Sequence, residues 1–341
     1  MSETTETQTQ VNASKPGNKS KFIPLVIIVS IALGICVWFN RGIIADVISS
    51  FFYHPSAEVA DIIDKIGLNY RSNIIFKATA PSLDNRDDFN KHCKSHDQDI
   101  SVLGCYTGGQ IYIYNIENSD LNGVVESTAA HELLHAVWHR LGNSEKEQLS
   151  KQLLEVYNDS RYHDLLADDL ETYNDSERID ELHSRIGTEI ADLPEALEKH
   201  YARYFNNQDL VVDYYNSYIE PFKELEAEID SLSSQLKNLN AEIESKTSDY
   251  YRRFEELSAK ISEFNRCAST AGCFTLESVF NVTRNNLLSE QSSLGASFDE
   301  LNALIDKYNN VVMEYNENVL RGAALEKAIN SNAEPEMIKN S

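Results

Sequence analysis

The residues best suited to chemistry are His131 and His135 with Glu132 between them, in the stretch His131-Glu132-Leu133-Leu134-His135. On a helix, residues four apart share a face one turn from each other, so the two imidazoles can approach a single ion. Paired imidazoles are zinc ligands, and a carboxylate beside them is placed to take a proton from water. His139 repeats the spacing once more. Three histidines at successive i+4 positions of a straight helix rarely all reach one ion, so His139 is expected to support the site and not to bind the metal.

The elements around the motif must position it. Residues 124 to 141 read as a helix, with Ala130, Leu133, Leu134, Val137, Trp138 and Leu141 forming an apolar stripe and Gly142 as its stop. The histidines lie to one side of that stripe, so they can face a cleft while the helix packs on a core. Upstream, residues 56 to 68 read as a helix capped by Ser56, residues 72 to 79 as a strand, and residues 84 to 93 as a short polar helix. Residues 100 to 106 and 110 to 116 read as two strands joined at Thr107-Gly108-Gly109.

A catalytic zinc ion needs three protein ligands and one open position. Residues 143 to 159 form a polar helix without a distinctive donor, whereas residues 176 to 192 form a helix with apolar positions Ile179, Leu182, Ile186 and Ile190. Glu181 sits beside that stripe and Glu189 lies two turns on. Glu181 is the favoured third ligand and Glu189 the alternative. Arg185 can pair with either, which would make both ordinary ion-pairing residues.

His131-Glu132-Leu133-Leu134-His135 followed by a helix bearing Glu181-Leu182-His183-Ser184 resembles the gluzincin zinc metallopeptidases. The resemblance covers roughly residues 56 to 205. It implies a small zincin-like domain in which His131, His135 and Glu181 hold one catalytic Zn²⁺, and an edge strand along which an extended substrate lies. It also implies Glu132 as the general base. The chain departs from the thermolysin-like pattern at Arg185, where that pattern has an acidic residue. Tyr157, Tyr162, His163, Tyr173 and His183 are candidates for a second electrophile.

A net charge of −24 argues against a nucleic-acid partner, which requires a basic face, and disfavours anionic lipid surfaces. Residues 1–21 are polar and read as a disordered cytoplasmic tail. Residues 22–39 carry no charge and are long enough to span a bilayer, with lysines before them and Arg41 after. They are therefore expected to form an uncleaved transmembrane helix, with the C-terminal bulk extracytoplasmic; a cleaved signal peptide is the alternative. Cys36 falls in the span, and Cys93 with Cys105 and Cys267 with Cys273 form two close pairs expected as local disulfides.

Beyond the expected zincin-like domain, residues 54–216, the pattern changes. Leu225, Ile229, Leu232, Leu236, Leu239 and Ile243, then Tyr250, Phe254, Leu257, Ile261 and Phe264, step four and three residues at a time. So do Leu294, Phe298, Leu301, Ile305, Tyr308, Val312, Tyr315 and Val319. Residues 219–321 are thus expected to fold as an antiparallel coiled-coil hairpin, with pairing to a partner or a second copy as the alternative, and residues 322–341 as a disordered tail.

The whole is expected to be α+β: a short antiparallel or mixed sheet, an active-site helix and a glutamate helix, a helical hairpin, and an N-terminal transmembrane helix. The expected function is a membrane-anchored zinc metallopeptidase acting on protein or peptide substrates. An inactive zincin scaffold working through its coiled coil, and a zinc amidase acting on cell-wall peptides, are the alternatives.

Overall fold

The computed structural model describes residues 1–4, 34–35, 37–38, 40–93, 102–166, 170 and 173–331. The described chain is mainly helical. Its one sheet has three short strands, β1 (Ser82–Asp84), β2 (Gly104–Thr107) and β3 (Gln110–Tyr114). β3 lies in the middle, parallel to β1 and antiparallel to β2. The α+β expectation is therefore overturned.

Part of the reason lies in one segment. Residues expected as a strand form a helix instead, α3 (Tyr70–Ala78), preceded by α1 (Arg41–Phe52) and α2 (Ala57–Lys65). The Asn69 side chain accepts hydrogen bonds from the backbone N–H of Arg71 and Ser72, satisfying donors that a first helical turn leaves open. Ser72, Ile75 and Phe76 then turn inward at i, i+3 and i+4. Isoleucine and phenylalanine favour strands only weakly, so the cap and the buried face decide.

The single-pass placement is overturned as well. Among the described residues no helix is long and apolar enough to cross a membrane. α1 has 12 residues, against the roughly 20 that a span needs. The expected span at residues 22–39 lies outside the described residues except at four positions.

The core forms around α5 (Val124–Arg140), which carries the histidine motif. Leu133, Leu134, Ala129, Ala130 and Ala136 on it are fully buried. Each leucine so buried contributes about 2 kcal/mol of hydrophobic stabilisation. α5 ends at Arg140, whose guanidinium makes two 2.9 Å bonds to Asp46 of α1 and donates to the Ala136 carbonyl. Gly142 does not stop α5 in a left-handed conformation. It is extended and caps the next helix, α6 (Asn143–Tyr157).

After the short α7 (His163–Leu166) comes α8 (Asp175–Glu189), which packs directly on α5. α9 (Glu195–Tyr201) then leads into α10 (Gln208–Ala268), 61 residues long, and α11 (Glu277–Ile329), 53 residues long. These two form the antiparallel hairpin. Lys246 pairs with Glu300, Arg253 with Ser297 and Lys260 with Glu290, one number falling as the other rises.

α10 begins upstream of Pro221 and runs through it, so the hairpin is continuous with the domain that holds the motif. α11 continues past Gly322, where a tail was expected. Leu325 packs with Leu121, Val124 and Leu225, and Asn90 donates a 2.7 Å hydrogen bond to the Ser331 carbonyl. Both ends of the hairpin are thereby rooted. Every second position of the expected α11 seam holds: Leu294 and Leu301 are buried, and Tyr308 and Tyr315 pack on Leu232, Leu239 and Val311. The positions between them move back by one residue, so that Val311 and Asn318 are buried while Phe298, Ile305 and Val319 are exposed.

Candidate metal centre

The site begins with why α5 and α8 can lie close together. A side chain at Gly187 of α8 would place its Cβ 2.4 Å from Leu134 Cδ1 and 2.5 Å from Tyr201 Cε1. Glycine therefore permits the close packing, and this brings Glu181 opposite the two histidines.

The three side chains converge. His131 Nε2 and His135 Nε2 are 3.1 Å apart. Glu181 Oε1 lies 3.4 Å from His131 Nε2, and its Oε2 lies 3.3 Å from His135 Nε2. A tetrahedral zinc ion about 2.0–2.1 Å from its ligands holds them roughly 3.3 Å from one another, and the three spacings match that edge length. The donor set of two neutral imidazoles and one carboxylate also fits zinc. Among the described residues this is the group that can hold a metal ion.

Glu189, the alternative third ligand, is not brought to the histidines. Its carboxylate is held by Arg185, with Nε 3.0 Å from Oε1 and Nη2 3.1 Å from Oε2. Arg185 also donates to the carbonyls of Leu165 and Leu166. His139 lies outside the trio and pairs with Asp180 at 3.4 Å.

Asp180 was not anticipated from the sequence. Its Oδ1 is 2.8 Å from His135 Nδ1, which fixes the ring and leaves Nε2 free to face an ion. The available signal was the adjacent pair of acids Asp180-Glu181, where one turns to the metal and the other to the ligand's far nitrogen.

The electrostatics follow from burial and close charges. Burial alone would push the Glu181 carboxyl up, but the two histidines hold it well below the usual range. Burial pulls the His131 and His135 rings down, yet Glu181, and Asp180 for His135, outweigh this and raise both. The trio attracts a positive charge to its centre, whether protons or a metal ion. Burial pushes the Glu132 carboxyl up, with the histidines opposing it.

Glu132 is only 5% exposed and lies under β2. A Cβ on Gly104 would sit 2.8 Å from Glu132 Cγ and 2.6 Å from Thr128 Cγ2. Glycine at this place lets the strand pass directly over the carboxylate. β2 pairs only with β3 among the described residues, so it is an edge strand of the described sheet. The disulfide Cys93–Cys105, with Cα atoms 5.8 Å apart, ties β2 to the end of the short helix α4 (Arg86–His92) before it. The second pair, Cys267–Cys273, closes the far turn of the hairpin.

A cleft of about 430 Å³ opens over these residues. Of the five aromatic candidates for a second electrophile, Tyr173 lines it. His183 is fully buried behind it, its Nε2 2.9 Å from His200 Nε2. Tyr157 and His163 pack on each other away from the cleft, and Tyr162 sits with its hydroxyl toward the Asp192 carbonyl. Three tyrosines that sequence reasoning passed over also line it: Tyr106 from β2, and Tyr215 and Tyr218 from the root of α10. The last two lie ahead of the periodic run that begins at Leu225, in the first turns of α10.

Set against known family models, curated proteins and solved structures, the chain matches none.

Proposed function

We propose that the protein is a zinc metallopeptidase that hydrolyses peptide bonds, with His131, His135 and Glu181 as metal ligands and Glu132 as general base. The observation that carries this reading is the spacing of the three donors at 3.1, 3.4 and 3.3 Å, with Glu132 in the same cleft. A zinc ion so held supplies a water with a pKa near 7 and polarises a carbonyl oxygen.

The chain's own residues do the rest. Glu132 Oε accepts the water proton and delivers it to the leaving amine. Its burial pushes the carboxyl up from its ordinary range, which makes it a stronger proton acceptor than an exposed glutamate. Asp180 holds His135 in the tautomer that presents Nε2. As an edge strand, β2 offers backbone donors and acceptors to an extended peptide, the general mode of strand addition.

The test is zinc content per chain together with cleavage of an unbiased peptide library by the native protein and Glu132→Gln. About one zinc per chain is expected, and a drop in kcat/KM of roughly 10² to 10⁴ on loss of the base. Absence of stoichiometric zinc, or equal cleavage by both forms, overturns the reading. Zinc without cleavage of any peptide would leave the inactive-scaffold alternative standing instead.

A further inference from the structure

We infer that the far end of the helical hairpin is a self-association surface, which joins two copies of this chain tip to tip.

The surface is apolar and firmly held. Phe264 of α10, Phe274 of the connection and Phe280 of α11 form a closed cluster, with ring centroids 5.4, 5.2 and 5.2 Å apart. The Cys267–Cys273 disulfide fastens the turn beside them, so little order is lost when a partner docks. A groove of about 620 Å³ lies between the two helices here, lined by Phe264, Cys267, Phe274, Thr283 and Leu287. Next to it Leu276, Val279 and Val282 project into solvent, with 61%, 48% and 60% of their surface exposed. On α11 the two valines stand one turn before the groove residues Thr283 and Asn286, at i and i+4. Projection and hollow therefore belong to one patch.

Three features make a second copy the occupant. The first is self-complementarity. A two-fold interface brings one patch against itself, so the patch must carry both knobs and a hollow to receive them. This one carries both.

The second feature is charge. Residues 251–290 hold five basic and five acidic residues, so the whole net charge of −24 lies on the rest of the chain. Two copies repel each other everywhere except at their tips. From Leu225 at the root to Ala268 at the tip, α10 runs about 65 Å at 1.5 Å per residue. Contact between tips thus keeps the charged bodies roughly 100 Å apart, far beyond a Debye length of about 10 Å.

The third feature is size. The three projecting side chains and the part-buried phenylalanines present on the order of 500 Å² of apolar surface. A standard interface uses about 800 Å² per partner, roughly three-fifths of it apolar. The two figures agree.

The test is sedimentation equilibrium and small-angle X-ray scattering on the full-length protein, native and with Val279→Glu and Val282→Glu together. Leu320→Glu, at an exposed apolar position of α11 toward the root, is the control. The native protein is expected to form a dimer with a Kd in the micromolar range and nearly twice the monomer's maximum dimension. The paired substitution should weaken association at least about 100-fold, and Leu320→Glu should change it less than about threefold. Circular dichroism should be alike in all forms, since each substituted side chain is exposed.

A native protein that stays monomeric at every concentration overturns the inference. So does a dimer no longer than the monomer, which would be joined side by side. A dimer that survives the paired substitution, or that Leu320→Glu weakens equally, overturns it as well and moves the contact away from the tip.

Discussion

The two halves of this molecule spend their apolar residues differently. Around α5 the chain closes a dense core in which Leu133, Leu134, Leu153, Leu182 and Ile186 have no exposure at all. Along the hairpin a single seam is covered, and its best-buried residues, such as Leu232 and Leu239, keep 4% and 7% of their surface. The candidate metal centre lies where packing is dense. The histidines and Glu181 meet within hydrogen-bond distances because three helices and a strand fix their backbones on every side. The hairpin has one neighbour per helix, which suffices to hold a rod but not to focus several side chains on a point. Only its root, where α10 lies against α5 and α8, contributes to the cleft, through Tyr215 and Tyr218.

The contrast can be broken at its strongest point first. His131→Ala removes one of three donors, and stoichiometric zinc should be lost together with any cleavage, by a factor of at least about 10³. Elemental analysis after dialysis reads this, and circular dichroism should show the helices retained.

Core truncation comes next. Leu134→Ala should destabilise the molecule by about 3 kcal/mol, and Leu239→Ala in the hairpin by about 1 kcal/mol, in denaturant titrations. Equal costs would erase the proposed difference between the halves.

Acid should also act on the dense half. His200 is held down to about 4, first by burial and then by Arg203 nearby. A group depressed in the folded state binds its proton more readily when unfolded. Its contribution is therefore complete above about pH 6.5 and is lost as the pH falls toward 4, up to about 3 kcal/mol in all. His200→Gln should lessen the loss of stability between those pH values, with buried His183, also held down, keeping its own share. An unchanged pH profile would show that His200 does not resist protonation.

A smaller effect is expected from Asp180→Asn. It keeps all three donors but weakens the hold on His135, and zinc affinity should fall 10- to 100-fold by competition with a chelator. Affinity unchanged within error would make the 2.8 Å contact incidental.

What the sequence disclosed follows the reach of its signals. The i, i+4 spacing of His131 and His135 is local, and so was the pairing of cysteines 12 and 6 residues apart. Glu181 and Glu189 share a helix, and their spacing alone does not say which meets the histidines. That depends on Arg185 taking Glu189 and on Gly187 admitting α5. Residues 72 to 79 carry a run of strand-favouring side chains, and the decisive cap, Asn69, lies outside that run. In α11, apolar residues occupy both positions beside the seam. Buried Asn318 hides the true register, because a polar residue there argues against burial. Tyr215 and Tyr218 reach the cleft only through tertiary contact between distant segments. Hydropathy over residues 22–39 spoke for a membrane span, which no described helix supports.

The central claim is that His131, His135 and Glu181 bind one ion together. X-ray absorption at the zinc edge, on protein loaded with one equivalent of zinc, tests it most directly. The account predicts two imidazole nitrogens and carboxylate oxygen at about 2.0–2.1 Å, with that signature lost in His135→Ala, which no longer holds stoichiometric zinc. A first shell of oxygen alone, or a spectrum unaffected by that substitution, would contradict it.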